Sequence, residues 1–205
     1  NPFARADYLL AAHTPRQLPP DGGFEVAFAG RSNAGKSSAL NALCQQNALA
    51  RVSKTPGRTQ QLVFFSLPPH EGKYLVDLPG YGYAKVPEEV RRDWVRLLEH
   101  YLSRRQNLVG LVLIMDSRRP LLELDWKMIG WFTATGRPIH CLLTKSDKLT
   151  KQEQTKTLRE TRKALADQGS PITVQLFSSL KKTGMEEVET VVGAWLSETA
   201  EPLTP

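Results

Sequence analysis

Eight consecutive residues, Gly30-Arg31-Ser32-Asn33-Ala34-Gly35-Lys36-Ser37, constrain this 205-residue chain more than any other feature. They match G-x-x-x-x-G-K-[ST], between a short apolar run over 24–29 and a helical run over 36–45. Glycines let the backbone turn so tightly that successive N–H groups converge on an anion. A helix opening near Lys36 adds the positive end of its dipole. Lys36 supplies a point charge for β- and γ-phosphates, and the Ser37 hydroxyl suits Mg²⁺. At ordinary residue frequencies such a match arises by chance in roughly one chain per hundred, and the strand–turn–helix context lowers that further. The candidate phosphate-binding residues are Gly30, Arg31, Ser32, Asn33, Ala34, Gly35, Lys36, Ser37 and the adjoining Ser38. A loop of this kind does not choose between adenine and guanine.

The rest of the chain alternates strand and helix. Apolar runs over 24–29, 61–67, 73–76, 108–115, 139–143 and 172–177 read as strands. Between them, Val90, Trp94, Leu97, Leu98 and Tyr101 stripe one helix face, as do Leu121, Leu124, Met128 and Phe132. Residues 151–167 form a charged helix, and Met185, Val188, Val192 and Trp195 stripe a last one. The expected fold is α/β: a mostly parallel six-stranded sheet flanked by helices on both faces. Residues 23–198 form the nucleotide-binding domain, after a Pro-rich extension (1–22) and before a short tail (199–205).

Ligands of such sheets sit beyond the carboxyl ends of the strands, where the other motifs fall. Thr144-Lys145-Ser146-Asp147 follows the run over 139–143. An aspartate there accepts two hydrogen bonds from guanine N1–H and its 2-amino group; adenine has no such paired donors, and an unsatisfied buried carboxylate is costly. Lys145 can lay its aliphatic stem along the base. Phe177-Ser178-Ser179 follows the last strand and offers backbone to the guanine carbonyl. Asp77-Leu78-Pro79-Gly80 ends the run over 73–76. Its aspartate suits Mg²⁺ held through a water. The Gly80 N–H suits the γ-phosphate, so hydrolysis would release the segment that follows. Upstream, Thr55-Pro56-Gly57-Arg58-Thr59-Gln60 offers hydroxyls to the metal, Thr59 first and Thr55 second. The candidate metal ligands are Ser37, Thr59 and Asp77; the candidate catalytic groups are Lys36, Thr59 and Gly80; Gly57, Arg58 and Gln60 join the nucleotide-binding set. Tyr81 stands where Ras-type proteins carry the glutamine that orients the attacking water. Tyr81 cannot do this as an amide does, so weak unassisted hydrolysis is expected. The other reading of Tyr81 and Tyr83 is that they simply pack this segment.

With these motifs assembled, residues 22–197 resemble the translation-factor-like GTPases of bacteria, and more closely the EngB (YihA/YsxC) family. The resemblance is carried by Glu25-Val-Ala-Phe-Ala-Gly-Arg-Ser-Asn-Ala-Gly-Lys-Ser-Ser38, Lys54-Thr-Pro-Gly-Arg-Thr-Gln60, Asp77-Leu-Pro-Gly-Tyr-Gly-Tyr-Ala84 and Phe177-Ser-Ser-Leu-Lys-Lys182. It implies a Ras-like fold, GTP/GDP binding with Mg²⁺, slow hydrolysis, a role in large ribosomal subunit assembly, and one in cell division and septation. Acceleration of hydrolysis is then expected once a ribosomal partner supplies or rearranges a group. In GTPases resembling this chain an asparagine at the position of Asn33 helps coordinate K⁺, which makes K⁺ a candidate cofactor.

The net charge of +6 and a pI near 9.4 favour polyanionic partners. Lys54 and Arg58 lie in one candidate switch; Lys85, Arg91, Arg92 and Arg96 follow the other, and Arg104 and Arg105 end that helix. The expected macromolecular partner is the large ribosomal subunit or its rRNA. No apolar run approaches the ~20 residues needed to cross a bilayer, and no signal peptide is seen, so a cytoplasmic monomer without membrane contact is expected. Cys44 and Cys141 lie in apolar segments and read as buried structural thiols. Two other readings are a metabolic kinase, which the T-K-x-D segment opposes, and a GTP-gated cell-division module independent of the ribosome.

Overall fold

The chain folds around one sheet because its strands carry apolar residues on both faces. In β2 (Phe24–Gly30), Val26 and Phe28 point to one core while Ala27 and Ala29 point to the other, and all four are buried. Strand β5 (Leu108–Asp116) alternates in the same way, with Leu111, Leu113 and Met115 opposite Val112 and Ile114. Period-two burial on both faces marks the centre of a helix-covered parallel sheet. The computed structural model describes residues 1–50, 61–82 and 86–197.

Strand β1 spans Asp7–Ala12, and α1 (Lys36–Leu43) follows β2. Then come β3 (Leu62–Leu67), β4 (His70–Asp77), α2 (Glu88–Arg104), β5 and α3 (Glu123–Thr133). The chain ends with β6 (Ile139–Thr144), α4 (Lys151–Ala164), β7 (Ile172–Leu176) and α5 (Met185–Trp195). Strand order is β1-β3-β4-β2-β5-β6-β7. The β1/β3 and β3/β4 pairs are antiparallel and the other four are parallel. Helices α2, α3 and α4 cover one face through Leu98, Met128, Phe132 and Leu158; α1 and α5 cover the other through Leu40, Leu43, Val188 and Val192.

The sheet therefore has seven strands where six were expected. The additional strand is β1, within the Pro-rich extension. It pairs on one side only, and its register slips between Tyr8 and Leu10, leaving Tyr8 58% and Leu9 44% exposed. An irregular edge strand shows no clean alternation, so its sequence carries little strand signal. The extension is tied down elsewhere as well: Phe3 is buried against the α1 side, and Gln46 Nε2 donates to the carbonyls of Ala4 and Ala6.

The sheet's amino end is closed by a buried carboxylate. Glu25 is 0% exposed and accepts from Tyr101 Oη at 2.6 Å and from Arg105 Nη2 at 2.7 Å. Arg105 also donates to the Pro19 carbonyl, which fixes the residues entering β2. Arg105 was expected on a basic surface; its side chain is only 10% exposed and neutralises Glu25 instead. Arg91, Arg92 and Arg96 are exposed, interleaved with Glu88, Glu89, Asp93 and Glu99, which dilute the positive face. Cys44 and Cys141 are both buried, and burial pushes each thiol up to about 12.

Candidate nucleotide-binding site

The carboxyl ends of β2, β4, β6 and β7 bring the predicted motifs onto one edge of the sheet. Strand β2 delivers Gly30, where a Cβ would lie 2.7 Å from the Ile114 carbonyl oxygen of β5, so only glycine fits. The chain turns through Arg31 to Gly35, with Asn33 at φ 69° and Gly35 at φ 93°, and enters α1 at Lys36. Gly35 is the left-handed residue before the helix, a conformation glycine takes without strain. The loop ends on a helix N-terminus with Lys36, Ser37 and Ser38 in its first turn.

Lys36 reaches across to β4 and forms an ion pair with Asp77 Oδ1, with side chains 12% and 13% exposed. Beyond Asp77, Leu78 N–H donates to the Phe28 carbonyl at 3.0 Å; Leu78 and Pro79 are buried and leave backbone facing the edge. Gly80 lies against the phosphate loop, where a Cβ would sit 3.5 Å from Ser32 Oγ. The next residue extends the pairing of β2 and β4 into the loop: Ser32 N–H and Ser32 Oγ both donate to the Tyr81 carbonyl, at 2.7 and 3.0 Å. Tyr81 itself is buried and gives its hydroxyl to Asp125 Oδ1 at 2.6 Å. Of the two sequence readings of Tyr81, the packed one is what the structure contains.

The T-K-S-D segment at the end of β6 is bonded into the same loop. Thr144 Oγ1 contacts the carbonyl oxygens of Ala34 and Met115. Lys145, at φ 57°, sends its ammonium to the Asn33 carbonyl at 2.6 Å and lies 3.7 Å from Asp116 Oδ2. Ser146 is buried, and its N–H donates to the Phe177 carbonyl at 3.1 Å. Asp147 Oδ1 accepts from Ser178 Oγ at 2.7 Å. Ser178 exchanges two backbone hydrogen bonds with Thr183, at 3.1 and 3.0 Å, and its hydroxyl oxygen accepts from Lys181 N–H. The Phe177 ring is fully buried, so that residue offers only its main chain. Ser179 follows, half-buried. Gly57, Arg58, Thr59 and Gln60, with Thr55, Lys54, Tyr83 and Lys85, lie outside the described residues.

The sequence reading passed over two carboxylates beside the loop. Asp116 ends β5 and is gripped by Arg118 through Nε at 3.0 Å and Nη2 at 2.7 Å. Burial pushes its carboxyl up, but the Arg118 hydrogen bonds and charge, with Lys145, outweigh that and hold it below the usual range. Asp125, in the first turn of α3, is 1% exposed; its Oδ2 accepts from Leu122 N–H at 3.0 Å. A cavity of about 430 Å³ flanks the loop here, lined by Arg31, Ser32, Asn33, Asp116, Arg118 and Asp125. It shares Arg31, Ser32, Asn33 and Ala34 with the predicted site but not Lys36, Asp77 or Asp147, so it overlaps only the loop part of that site. A signal existed for Asp116, since it ends an apolar strand as Asp77 does. Asp125 had only its place three residues after the N-cap, Leu122.

A phosphate loop bonded to a T-K-x-D segment, whose aspartate is held by a serine of the next strand's end, points to a guanine-nucleotide protein. The family model described as 50S ribosome-binding GTPase matches residues 25–145. The probable GTP-binding protein EngB of Aromatoleum aromaticum is 60% identical over 194 residues, covering 95% of this chain and 89% of that protein. The chain belongs to the EngB family of GTP-binding proteins. The EngB relative of Dechloromonas aromatica is 58% identical over 196 residues, covering 95% of this chain and 88% of its own length. Among solved structures, a probable GTP-binding protein engB shares the fold with a TM-score of 0.65 at 19% identity, covering 84% of this chain and 98% of that one. Era in complex with MgGDPNP and nucleotides of 16S ribosomal RNA does so at 0.63 and 21%, covering 89% and 59%. As an EngB-family P-loop GTPase, the chain binds and hydrolyses GTP. Among the described residues no helix is long and apolar enough to cross a membrane.

Proposed function

We propose that this EngB-family GTPase is a Mg²⁺-dependent, slowly hydrolysing switch in the assembly of the large ribosomal subunit, acting as a cytoplasmic monomer. The observation that carries the ribosomal reading is the match of residues 25–145 to a family described as 50S ribosome-binding. The chain's excess of positive charge agrees with an rRNA partner.

In this reading Asp147 and the Lys145 stem select guanine, with the main chain of Phe177, Ser178 and Ser179 closing the base pocket. The amides from Arg31 to Ser38 and the Lys36 ammonium hold the phosphates. Among the described residues no group of three His, Cys, Asp or Glu side chains forms a metal cluster. That suits Mg²⁺, which keeps waters and phosphate oxygens and takes one or two protein oxygens. The ion pair brings Asp77 to the first turn of α1, which also carries Ser37. In this reading Asp77 would supply a carboxylate and Ser37 a hydroxyl to the ion, and Thr59 is the further ligand proposed. Held there, the ion would supply positive charge to offset the negative charge developing on the phosphate oxygens. Lys36 stabilises the same charge, and Gly80 N–H reports whether a γ-phosphate is present. The Tyr81 hydroxyl is committed to Asp125 and does not orient a water, which supports slow hydrolysis until a partner assists. Asn33, exposed at the bend of the loop, is the K⁺ contact in this reading; equal rates in KCl and NaCl with ribosomal particles present would remove it.

Co-sedimentation with ribosomal subunits, compared between a GTP analogue and GDP, tests the proposal. Analogue-dependent recovery in the large-subunit fraction is expected. Absence from every ribosomal fraction with both nucleotides would overturn it and leave the cell-division module as the better reading.

A further inference from the structure

The segment after Gly80 is fixed at two points on opposite sides. Its main chain is held by the phosphate loop, through the two Ser32 donors to the Tyr81 carbonyl and through Tyr81 N–H to the Gly30 carbonyl at 3.4 Å. Its side chain is held by α3, through the 2.6 Å bond from Tyr81 Oη to Asp125 Oδ1. Both partners are nearly sealed from solvent, at 4% and 1% exposure. Both Asp125 oxygens act as acceptors, one for Tyr81 and one for Leu122 N–H, an arrangement that suits the ionised carboxylate. Burial prevails and pushes that carboxyl up on balance, while the two hydrogen bonds and the Arg31 charge work the other way. Arg31 lies against the same segment from the loop side: a Cβ on Gly82 would come within 2.8 Å of Arg31 Nε.

Neither Tyr81 nor Asp125 has a place in the chemistry described above, yet together they determine where Gly80 can be. A peptide joined directly to a residue pinned at backbone and side chain loses most of its freedom to wander. Loop backbone bonds alone leave Tyr81 free to peel away as one unit. A buried anchor on a rigid helix prevents that, because leaving it would strand a carboxylate and a phenol without partners. Phenylalanine would fill the same space but make no anchor.

We propose that Asp125 is a positioning residue for GTP hydrolysis: through Tyr81 it holds the Gly80 backbone beside the phosphate loop, ready for the γ-phosphate. The inference rests on the proposed reading of Gly80 as the γ-phosphate contact. It makes the first turn of α3, which carries no nucleotide motif, a support for the sensing segment.

The test compares Tyr81→Phe, Asp125→Ala and Asp125→Asn in the full chain. The readouts are affinities for GDP and a non-hydrolysable GTP analogue, and the turnover rate at saturating GTP. Tyr81→Phe and Asp125→Ala should weaken analogue binding and slow turnover about fivefold, the effect of one hydrogen bond, with GDP affinity unchanged. Asp125→Asn keeps an oxygen for the Tyr81 hydroxyl and should restore the analogue-to-GDP ratio, although it loses the Leu122 bond. Equal weakening of both nucleotides, an unchanged ratio, or faster turnover would each overturn the proposal. If Asp125→Ala does not fold, Tyr81→Phe decides alone, since it removes one atom. Gly80→Pro, which removes the N–H that the reading invokes, separates the two layers. If it leaves the ratio untouched, the γ-phosphate reading fails; if it shifts the ratio while Tyr81→Phe does not, that reading stands and the positioning role falls.

Discussion

Asp147 and Asp77 are both carboxylates at the carboxyl ends of parallel strands, but they are held in different ways. Asp147 is braced by Ser178, which is itself fixed by two backbone bonds to Thr183 and one from Lys181. Its neighbours Thr144, Lys145 and Ser146 are bonded in turn to Ala34, Asn33 and Phe177. Asp77 instead pairs with the ammonium of Lys36, on a long flexible chain. Both members of that pair have another proposed partner, phosphate for Lys36 and Mg²⁺ for Asp77, and in the proposed function their pairing opens when nucleotide binds. In that proposal the base end is preorganised by protein–protein bonds that need not break, whereas the phosphate end exchanges its partners. Such a division suits a switch: recognition of guanine stays constant while the response to the γ-phosphate changes.

The sharpest way to break this contrast is Asp147→Asn. It replaces one acceptor by a donor opposite the guanine N1–H and 2-amino group. Affinity for GDP and for a GTP analogue should fall together by about 100-fold or more, with and without Mg²⁺. Xanthosine diphosphate, which carries an oxygen in place of the 2-amino group, should regain much of the loss. A fluorescent-nucleotide titration measures all three, and a loss confined to the triphosphate would contradict the base-end assignment.

Asp77→Ala probes the other end. Here the loss should depend on the metal: about tenfold weaker binding of the GTP analogue in Mg²⁺, and little change in EDTA. Equal loss under both conditions would mean that Asp77 serves the fold rather than the metal. Ser178→Ala is expected to be smaller still, about fivefold, because it removes one hydrogen bond to a charged group and leaves Asp147 in place. Its loss should be the same for GDP and the analogue. That uniformity contrasts with the triphosphate-selective loss expected of Tyr81→Phe.

How much of this was legible in the sequence follows the same division. Lys36, Asp77 and Asp147 stand at fixed spacings in motifs whose chemistry is local, and the structure gathers them on one edge. The six expected strands could be read as apolar runs: five bury apolar residues on both faces, and β7 alternates them on one. Strand β1 escaped because a one-sided edge with a register slip has no such pattern. The Tyr81–Asp125 bond joins residues 44 apart, and no local spacing announces it. Arg105 was misplaced for the same reason: its partner Glu25 is 80 residues away, so the sequence showed only a charge at a helix end. Ser178 was correctly placed at a strand end, but its grip on Asp147 needs the third dimension.

The smallest effect concerns whether the base end owes its order to its loop bonds or to the strands beneath. His140 of β6 is buried between Thr173 Oγ1 at 2.6 Å and Gln175 Oε1 at 2.7 Å. Gln175 Nε2 already donates to the Leu176 and Gly184 carbonyls, so its Oε1 is an acceptor. His140 therefore carries a proton on Nε2, and burial favours the neutral ring, in which Nδ1 accepts from Thr173. Burial pushes its pKa below the ordinary value, with the Gln175 bond and Glu187 opposing. The unfolded chain titrates near ~6.5. The neutral imidazole thus contributes stability above that pH and loses it as pH falls through it toward the lower folded value, where the unfolded state binds the extra proton. Thermal unfolding should fall by about 2 °C between pH 7 and 5.5, and His140→Gln should flatten that dependence. If loop bonds alone order Asp147, GDP affinity in His140→Gln matches the parent; a parallel drop would move the origin of the base end's rigidity from its loops into the β6–β7 pair.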